Sequence, residues 1–310
     1  MRIVEDVRQF TEALPHVVLT IGSFDGVHLG HRKLVDRVLA RAREKGGTAA
    51  LMTLRPHPRE VFSPANAPNT LTPPRMQERL LAEMGLDVLF VLPFNAEVAG
   101  LPRDAFLEQL VLERAGAREL VVGHDFAFGK GALGNYEYLC EVAPHYNLDV
   151  EQVPPFVVRG ERVSSTLVRE RIVQGELEDV EVFLGRKYAI LGEVIRGRGI
   201  GGSKLGYPTA NIDPHKMAVP AHGVYVAEAW VDGMPLMAAV NIGIAPTIAH
   251  QSVMVEAFIL DFDGKLVGKE IEVTFLKRLR PEKKYPDYEA LVAAIDQDVR
   301  NVRAYFAERA

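Results

Sequence analysis

The chain has 310 residues, 48% hydrophobic and 25% charged, with a net charge of −5. That length holds two cores, and the mild acidity excludes a surface built mainly for nucleic acid. One cysteine, Cys140, excludes an intramolecular disulfide and fits a reducing cytoplasm; it reads as a small buried hydrophobe on a helix. Residues 1–6 are charged too early for a signal peptide, and no apolar run reaches the ~18 residues of a membrane span. No fixed-period repeat or low-complexity tract is present.

Val17–Ile21 reads as a buried strand, and Leu34, Val35, Val38, Leu39 and Ala42 recur at helix spacing. Between them lies Gly22-Ser-Phe-Asp-Gly-Val-His-Leu-Gly-His31. Gly22 and Gly26 let backbone approach a ligand, and Gly30 lets two elements pack closely. The free N–H groups of a helix start make an anion site there. His28 and His31, three apart, share one face and can neutralise charge on a reacting phosphoryl group. A metal pair is the less favoured reading of the two histidines.

Thr48–Leu54 is a second buried strand, ending in Arg55-Pro56-His57-Pro58. Two prolines stiffen that loop at the strand's carboxyl end, where open α/β sheets bind ligands. Residues 59–73 read as a mobile loop over the site. Then follow a helix over 73–84, a strand over 87–93, a helix over 102–115 and a strand over 119–123. This alternation predicts a parallel sheet covered on both faces. The last strand opens into Gly123-His-Asp-Phe-Ala-Phe-Gly-Lys-Gly131. Phe126 and Phe128 can pack on a flat ring or tuck inward; Asp125 can orient a ligand or hold a metal; Lys130 can meet phosphate. A helix over 135–147 and a fifth strand over 148–153 lead to Val163-Ser-Ser-Thr-Leu-Val-Arg169. Ser164 is a plausible helix N-cap, and Ser164, Ser165 and Thr166 with Arg169 suggest a second phosphate clamp. A short helix over 175–185 closes this part.

At about 185 helical spacing gives way to short alternating runs, which predict a small barrel. Strands are expected over 188–196, 224–231, 235–241, 253–262 and 265–276, with hairpin turns at Asp232-Gly233 and Asp263-Gly264. Tyr288, Leu291, Val292, Ile295, Val299, Val302 and Phe306 make one stripe of a terminal helix that caps the barrel. Residues 197–211 are glycine-rich, with Gly197, Gly199, Gly201, Lys204 and Gly206 placed to surround phosphates. Thr209 and Asn211 offer hard oxygen ligands for Mg²⁺. Glu256 stands on a strand among apolar neighbours, which by itself reads as a solvent face.

The stretch 22–31 resembles the signature of the nucleotidyltransferase superfamily that includes class I aminoacyl-tRNA synthetases. In particular it is similar to the adenylyltransferase half of bacterial FAD synthetases. The Pro-His-Pro loop, the Gly-x-Asp-Phe-x-Phe-Gly loop and Ser-Ser-Thr-x-x-Arg match that family. Gly206-Tyr-Pro-Thr-Ala-Asn211 resembles the riboflavin kinase signature, and Asn241–Thr247 and Leu279-Arg-Pro-Glu282 match as well. Leu54, His124, Leu167 and Val267 depart from it, where Phe, Glu, Arg and Tyr are usual.

The resemblance implies an α/β Rossmann-like nucleotidyltransferase domain over 1–184 and an antiparallel β-barrel kinase domain with a C-terminal helix over 185–310. It implies a bifunctional enzyme that phosphorylates riboflavin to FMN and adenylylates FMN to FAD, with Mg²⁺ and ATP. His28, His31 and Arg169 would act in adenylyl transfer, and Glu256 as the kinase base. Gly22, Phe24, Asp25, Gly26, Gly30, Pro56 and His57 would contact ATP in the first site, as would Ser164, Ser165 and Thr166. The glycine-rich kinase loop with Lys204 would contact it in the second. Asp125, Phe126, Phe128 and Arg280 would bind flavin, and Thr209 and Asn211 the metal, with Asp125 a further candidate ligand. The expected setting is cytoplasmic, with no nucleic-acid or membrane partner, as a monomer or weak oligomer. The alternatives are a flavin-binding regulator with one or both activities lost, and a transferase acting on another phosphorylated acceptor.

Overall fold

A computed structural model describes residues 1–196, 207–246 and 251–309. Gly197, Gly199, Gly201, Lys204, Gly206 and Thr247 lie outside the described residues. The chain divides into two compact units. One is Met1–Pro68 with Thr72–Ser165; the other is Asn69–Leu71 with Thr166–Ala310.

In the first unit, β1 (Arg2–Val4), β2 (Val17–Ile21), β3 (Thr48–Arg55), β4 (Val88–Pro93), β5 (Ala117–Gly123) and β6 (Asp149–Val153) form one parallel sheet. Its order is β1-β4-β3-β2-β5-β6. Successive residues feed opposite cores, as the two-residue period of a strand dictates. Leu19, Met52, Phe90 and Val122 pack on one side; Val18, Leu51, Leu89 and Val121 pack on the other with Val35, Val38 and Ala42. Those last three belong to α1 (Leu29–Lys45). The order reverses between β2 and β5, so the carboxyl ends of these two strands flank a topological switch point.

The sheet has six strands where the sequence predicts five. The extra edge strand β1 has only three residues, too few for a periodic signal. The expected mobile loop over 59–73 contains α2 (Pro58–Phe62) and a 3₁₀ turn over Pro64–Asn66. After α3 (Pro74–Glu83) and α4 (Ala96–Ala99), the helix expected over 102–115 starts as α5 (Arg103–Ala105) and widens to a π-helix over Phe106–Arg114. Cys140 lies on α6 (Tyr136–Tyr146) but is exposed, because Tyr138, Leu139 and Ala143 take the inward face. A two-stranded pair, β7 (Val157–Val158) and β8 (Glu161–Arg162), precedes the next helix.

That helix, α7 (Ser165–Gln174), and α8 (Leu177–Leu184) lead into a closed barrel. Its strands are β9 (Ala189–Ile195), β10 (Ala210–Asp213), β11 (Gly223–Val231), β12 (Met234–Pro246), β13 (Gln251–Ile259) and β14 (Glu270–Pro281). The order around the barrel is β10-β13-β12-β11-β14-β9, all neighbours antiparallel. Tyr225, Ala227, Val240, Ile242, Val255, Ala257, Val273 and Phe275 are almost fully buried at alternate positions. The intervening Val226, Ala239 and Phe258 pack on Val299, Val302 and Phe306 of the terminal helix α9 (Tyr288–Ala307). The capping role expected for this stripe is thus seen in its second half. The segment Asn69–Leu71 joins this unit by pairing: Thr70 N–H donates to the Lys216 carbonyl at 2.8 Å, and Ala218 N–H to that of Thr70 at 2.9 Å.

Asp232 (φ 49°) and Gly233 (φ 82°) make the predicted two-residue turn between β11 and β12. The turn predicted at Asp263-Gly264 is a correction. β13 and β14 are not neighbours, so their link crosses to another part of the barrel. Gly264 answers to packing instead: a Cβ there would stand 2.3 Å from the Phe262 ring. β10 is also additional, since its Ala-Asn-Ile-Asp text carries no apolar run.

Candidate active sites

β2 and α1 are joined at the switch point by residues 22–28, where Phe24 (φ 49°), Gly26 (φ 91°) and Val27 (φ 40°) are left-handed. For β-branched Val27 this is strained backbone, held by the burial of Phe24 and Val27. His28 caps α1, its Nδ1 accepting the His31 N–H at 3.2 Å. In a neutral ring the proton then sits on Nε2, as a donor. The His31 ring stacks on His28 with centroids 3.6 Å apart, and lies 4.7 Å from the Phe24 ring. Gly30 permits this, since a Cβ would meet the His28 ring at 3.2 Å. A Cβ at Gly22 would similarly meet the Phe24 ring at 3.1 Å.

Asp25 is buried and knits the loop together. Its Oδ1 accepts the Thr72 N–H at 2.9 Å, and its carbonyl accepts the Ser165 hydroxyl at 2.8 Å. Ser165, from the second hydroxyl-rich motif, is therefore brought to the first glycine loop, with Ser164 just ahead of it. Past β3 the Arg55–Pro56 bond is cis. His57 caps α2 as His28 caps α1: Nδ1 accepts the Arg59 N–H at 3.1 Å, and Glu60 accepts the His57 N–H at 3.3 Å.

The loop after β5 is charged at its root. Arg162 Nη1 donates to His124 Nε2 at 2.7 Å, and Arg162 Nη2 stands 3.7 Å from the exposed Asp125 carboxylate. Phe128 is buried, 5.4 Å from both Phe106 and Phe126, and closes against Gly134. Of the two aromatics singled out in the sequence, Phe128 is thus a support, and half-buried Phe126 stacked on it keeps surface to offer. The loop is pinned by Lys130 N–H to the Leu101 carbonyl at 2.7 Å and by Arg103 Nη1 to the Leu133 carbonyl at 3.1 Å. Lys130 itself is exposed. In the second unit, Thr166 is exposed on the first turn of α7, and Arg169 Nε donates to the Asn69 carbonyl at 2.6 Å.

The barrel site follows from register. Asn211 on β10 pairs with Glu256 on β13, and Glu256 with Asn241 on β12, so the three stand in one row on one face. Glu256 is half-buried and has no hydrogen bond or ion pair among the described residues. Asn211 is buried, and its Oδ1 has no partner among them. An unclaimed amide oxygen beside a carboxylate suits a hard divalent cation, so the residues present fit Mg²⁺. Among the described residues no three His, Cys, Asp or Glu side chains converge on a metal site. Thr209 immediately precedes β10, and Tyr207 fixes this stretch by donating its hydroxyl to Asp296 of α9, with its ring edge-on to Phe258.

β14 ends within the motif that starts at Leu279. Arg280 is held by Asp298 of α9, Nη2 to Oδ2 at 2.7 Å. Burial alone would lower the Arg280 pKa, but the hydrogen bond and charge of Asp298, with Tyr285, together outweigh it and raise the value. Glu282 folds over β12, where a Cβ on Gly243 would lie 2.6 Å from its Oε1. Sequence reasoning missed Arg162 and Asp298. Arg162 has no local signal. Asp298 has one, as an acid three residues after Ile295 and four before Val302 on an apolar stripe.

Residues 10–167 match the family described as FAD synthetase, and residues 184–306 the family described as riboflavin kinase. A bifunctional riboflavin kinase/FMN adenylyltransferase from Pseudomonas fluorescens is 34% identical over 311 residues, covering 100% of this chain and 99% of that one. A protein of the same description from Escherichia coli K12 is 33% identical, covering 99% and 98%. A solved structure described as a macrolide-efflux protein from Streptococcus pneumoniae superimposes with a TM-score of 0.86 at 26% identity, covering 97% of this chain and 98% of that chain. No helix among the described residues is long and apolar enough to cross a membrane. Two family matches in series, with relatives alike from end to end, place this chain in the family of bifunctional riboflavin kinase/FMN adenylyltransferases.

Proposed function

We propose that the chain performs two ATP-dependent steps, phosphorylating riboflavin to FMN and then adenylylating FMN to FAD, with residues 185–310 and 1–184 respectively. Family membership supports both activities. The observation that carries the kinase half is the row Asn211–Glu256–Asn241, with a carboxylate at its centre that has no partner among the described residues.

In the kinase step Glu256 accepts the proton of the ribityl 5′-hydroxyl as that oxygen bonds to the γ-phosphorus of ATP. The bond from the γ-phosphorus to the β,γ-bridging oxygen breaks, and ADP leaves. Thr209 and Asn211 would hold Mg²⁺, which when bound draws charge from the phosphate oxygens. Arg280 meets the flavin. The glycines and Lys204 of residues 197–206 take the ATP phosphates.

In the adenylyl step an FMN phosphate oxygen attacks the α-phosphorus of ATP, and pyrophosphate leaves. Nothing needs to become covalently attached to the protein; orientation and charge stabilisation do the work. Donors at His28 Nε2, His31 and the start of α1 stabilise the triphosphate, with Ser165 held close by through Asp25. Ser164 extends that clamp. Phe126, supported by Phe128, offers a face to the flavin ring, and Asp125 with Arg162 orients its phosphate end. Each unit carries its own site, which fits a cytoplasmic monomer or weak oligomer that releases FMN between steps.

The test is one incubation of purified protein with riboflavin, ATP and Mg²⁺, with the flavins separated over time. FMN followed by FAD is expected. Bound riboflavin with no product would instead support a flavin-binding regulator.

A further inference from the structure

Asp298 sits where an apolar residue belongs. It shares the inward face of α9 with Ile295 and Val302 and is 5% exposed. A carboxylate in such a place is costly unless paired, and one guanidinium takes it on three contacts. Arg280 Nη2 donates to Oδ2 at 2.7 Å, and Nε lies 3.1 Å from both oxygens. The grip uses the Nε edge of the fork. Among the described residues Nη1 makes only a 3.4 Å contact with the carbonyl of the next residue, Pro281. The planar group is thus fixed along one edge and presents the other. The Tyr285 ring stands 5.6 Å from it.

Register ties this pair to the kinase row. Arg280 is opposite Val224, Val224 is opposite Asn241, and Asn241 is opposite Glu256. Three strand spacings of about 4.8 Å separate Arg280 from Glu256 along the sheet. A ribityl chain and its ring system can bridge that span with the hydroxyl at Glu256 and the ring toward Arg280.

We propose that Asp298 is a positioning residue of the kinase site, orienting Arg280 so that the free edge of its guanidinium meets an acceptor on the flavin. This rests on the kinase reading above. Asp298 touches no reacting atom, so its loss acts on riboflavin binding more than on turnover. The pair also joins the last helix to the end of β14, which gives that helix a part in substrate recognition beyond covering the barrel.

The test is a double-mutant cycle on the full-length protein with Asp298→Asn and Arg280→Lys. Riboflavin KM should rise at least about tenfold in each, the loss of a charged hydrogen bond, with kcat and the KM for ATP changed far less. The double variant should be no worse than either single one. FAD formation from supplied FMN should stay at the wild-type rate in the same preparations, since that chemistry belongs to the other unit. An unchanged riboflavin KM in Asp298→Asn, or losses that multiply in the double variant, overturns the proposal. Should Asp298→Asn fail to fold, Asp298→Glu carries the test: it keeps the charge but displaces the fork, so a raised KM supports the proposal and an unchanged one overturns it. Wild-type protein that makes no FMN from riboflavin would overturn the kinase reading itself, and the proposal with it.

Discussion

His28 and His31 stack with ring centroids 3.6 Å apart and 15° between their planes, while His28 Nδ1 accepts the His31 N–H at 3.2 Å. One side chain thus ends a helix and aims a donor at the same time. The two roles can be separated. In His28→Asn the amide oxygen can still cap α1, because Asn is a favoured N-cap, but the ring donor is gone. FAD formation from supplied FMN should fall about 100-fold, the loss typical of one donor to a developing charge. FMN formation from riboflavin and thermal unfolding should change little. His28→Ala should unfold more readily, by about 1 kcal/mol for the lost cap. Wild-type FAD formation by His28→Asn would remove His28 from the site.

Glu119 on β5 is almost fully buried, with His16 Nε2 at 2.8 Å and Arg41 Nε at 2.7 Å. Burial pushes its carboxyl pKa up, but the hydrogen bonds and charges of His16 and Arg41 together outweigh it and leave the value below its ordinary one. A folded-state pKa below the unfolded one stabilises above the unfolded value and loses that contribution as pH falls through the folded value. Glu119→Gln should therefore destabilise at pH 7, by about 1–2 kcal/mol given partly solvated partners. The gap to wild type in urea unfolding should shrink as pH falls below the ordinary glutamate value of about 4.3 and through the lower folded value. A gap that is constant with pH would show that the carboxylate charge contributes nothing.

Gly129 has φ 73°, and a Cβ there would stand 2.6 Å from Arg103 Cα and 2.9 Å from its N. Both are backbone atoms that cannot swing away. Gly129→Ala should cost about 1–3 kcal/mol and displace the loop that carries Asp125 and Phe126. The KM for FMN in adenylyl transfer should rise severalfold while the riboflavin KM stays put. Equal losses in both reactions would count against a local effect.

The sequence could be read most clearly where one residue type answers to one physical demand. Val17–Ile21 and the α1 periodicity define a buried strand and an amphipathic helix, so the loop between them had only one place in a parallel sheet. Asp232-Gly233 required two left-handed residues and received them. Asp263-Gly264 carries the same text, but a turn dipeptide is local and strand pairing is not; packing against Phe262 explains its glycine equally well. Phe126 and Phe128 look alike in sequence, and only the surrounding Phe106, Tyr138 and Gly134 decide which ring is interior. Glu256 could be placed on a strand, yet its row with Asn211 and Asn241 depends on β10, whose short polar text gave no strand signal. Arg280 was visible in its motif; its partner is 18 residues away, on a helix whose stripe drew attention to the apolar positions instead.

Under the proposed function the two chemistries use separate sites in one chain, and Glu256→Gln tests that most directly. Full-length variant and wild type are each given riboflavin, or FMN, with ATP and Mg²⁺, and the flavins are separated over time. The variant should lose FMN formation about 100- to 10,000-fold, the span of a positioned general base. It should still convert supplied FMN to FAD at the wild-type rate. FMN formation by Glu256→Gln at the wild-type rate would contradict the account, and so would loss of both reactions in a protein that remains folded.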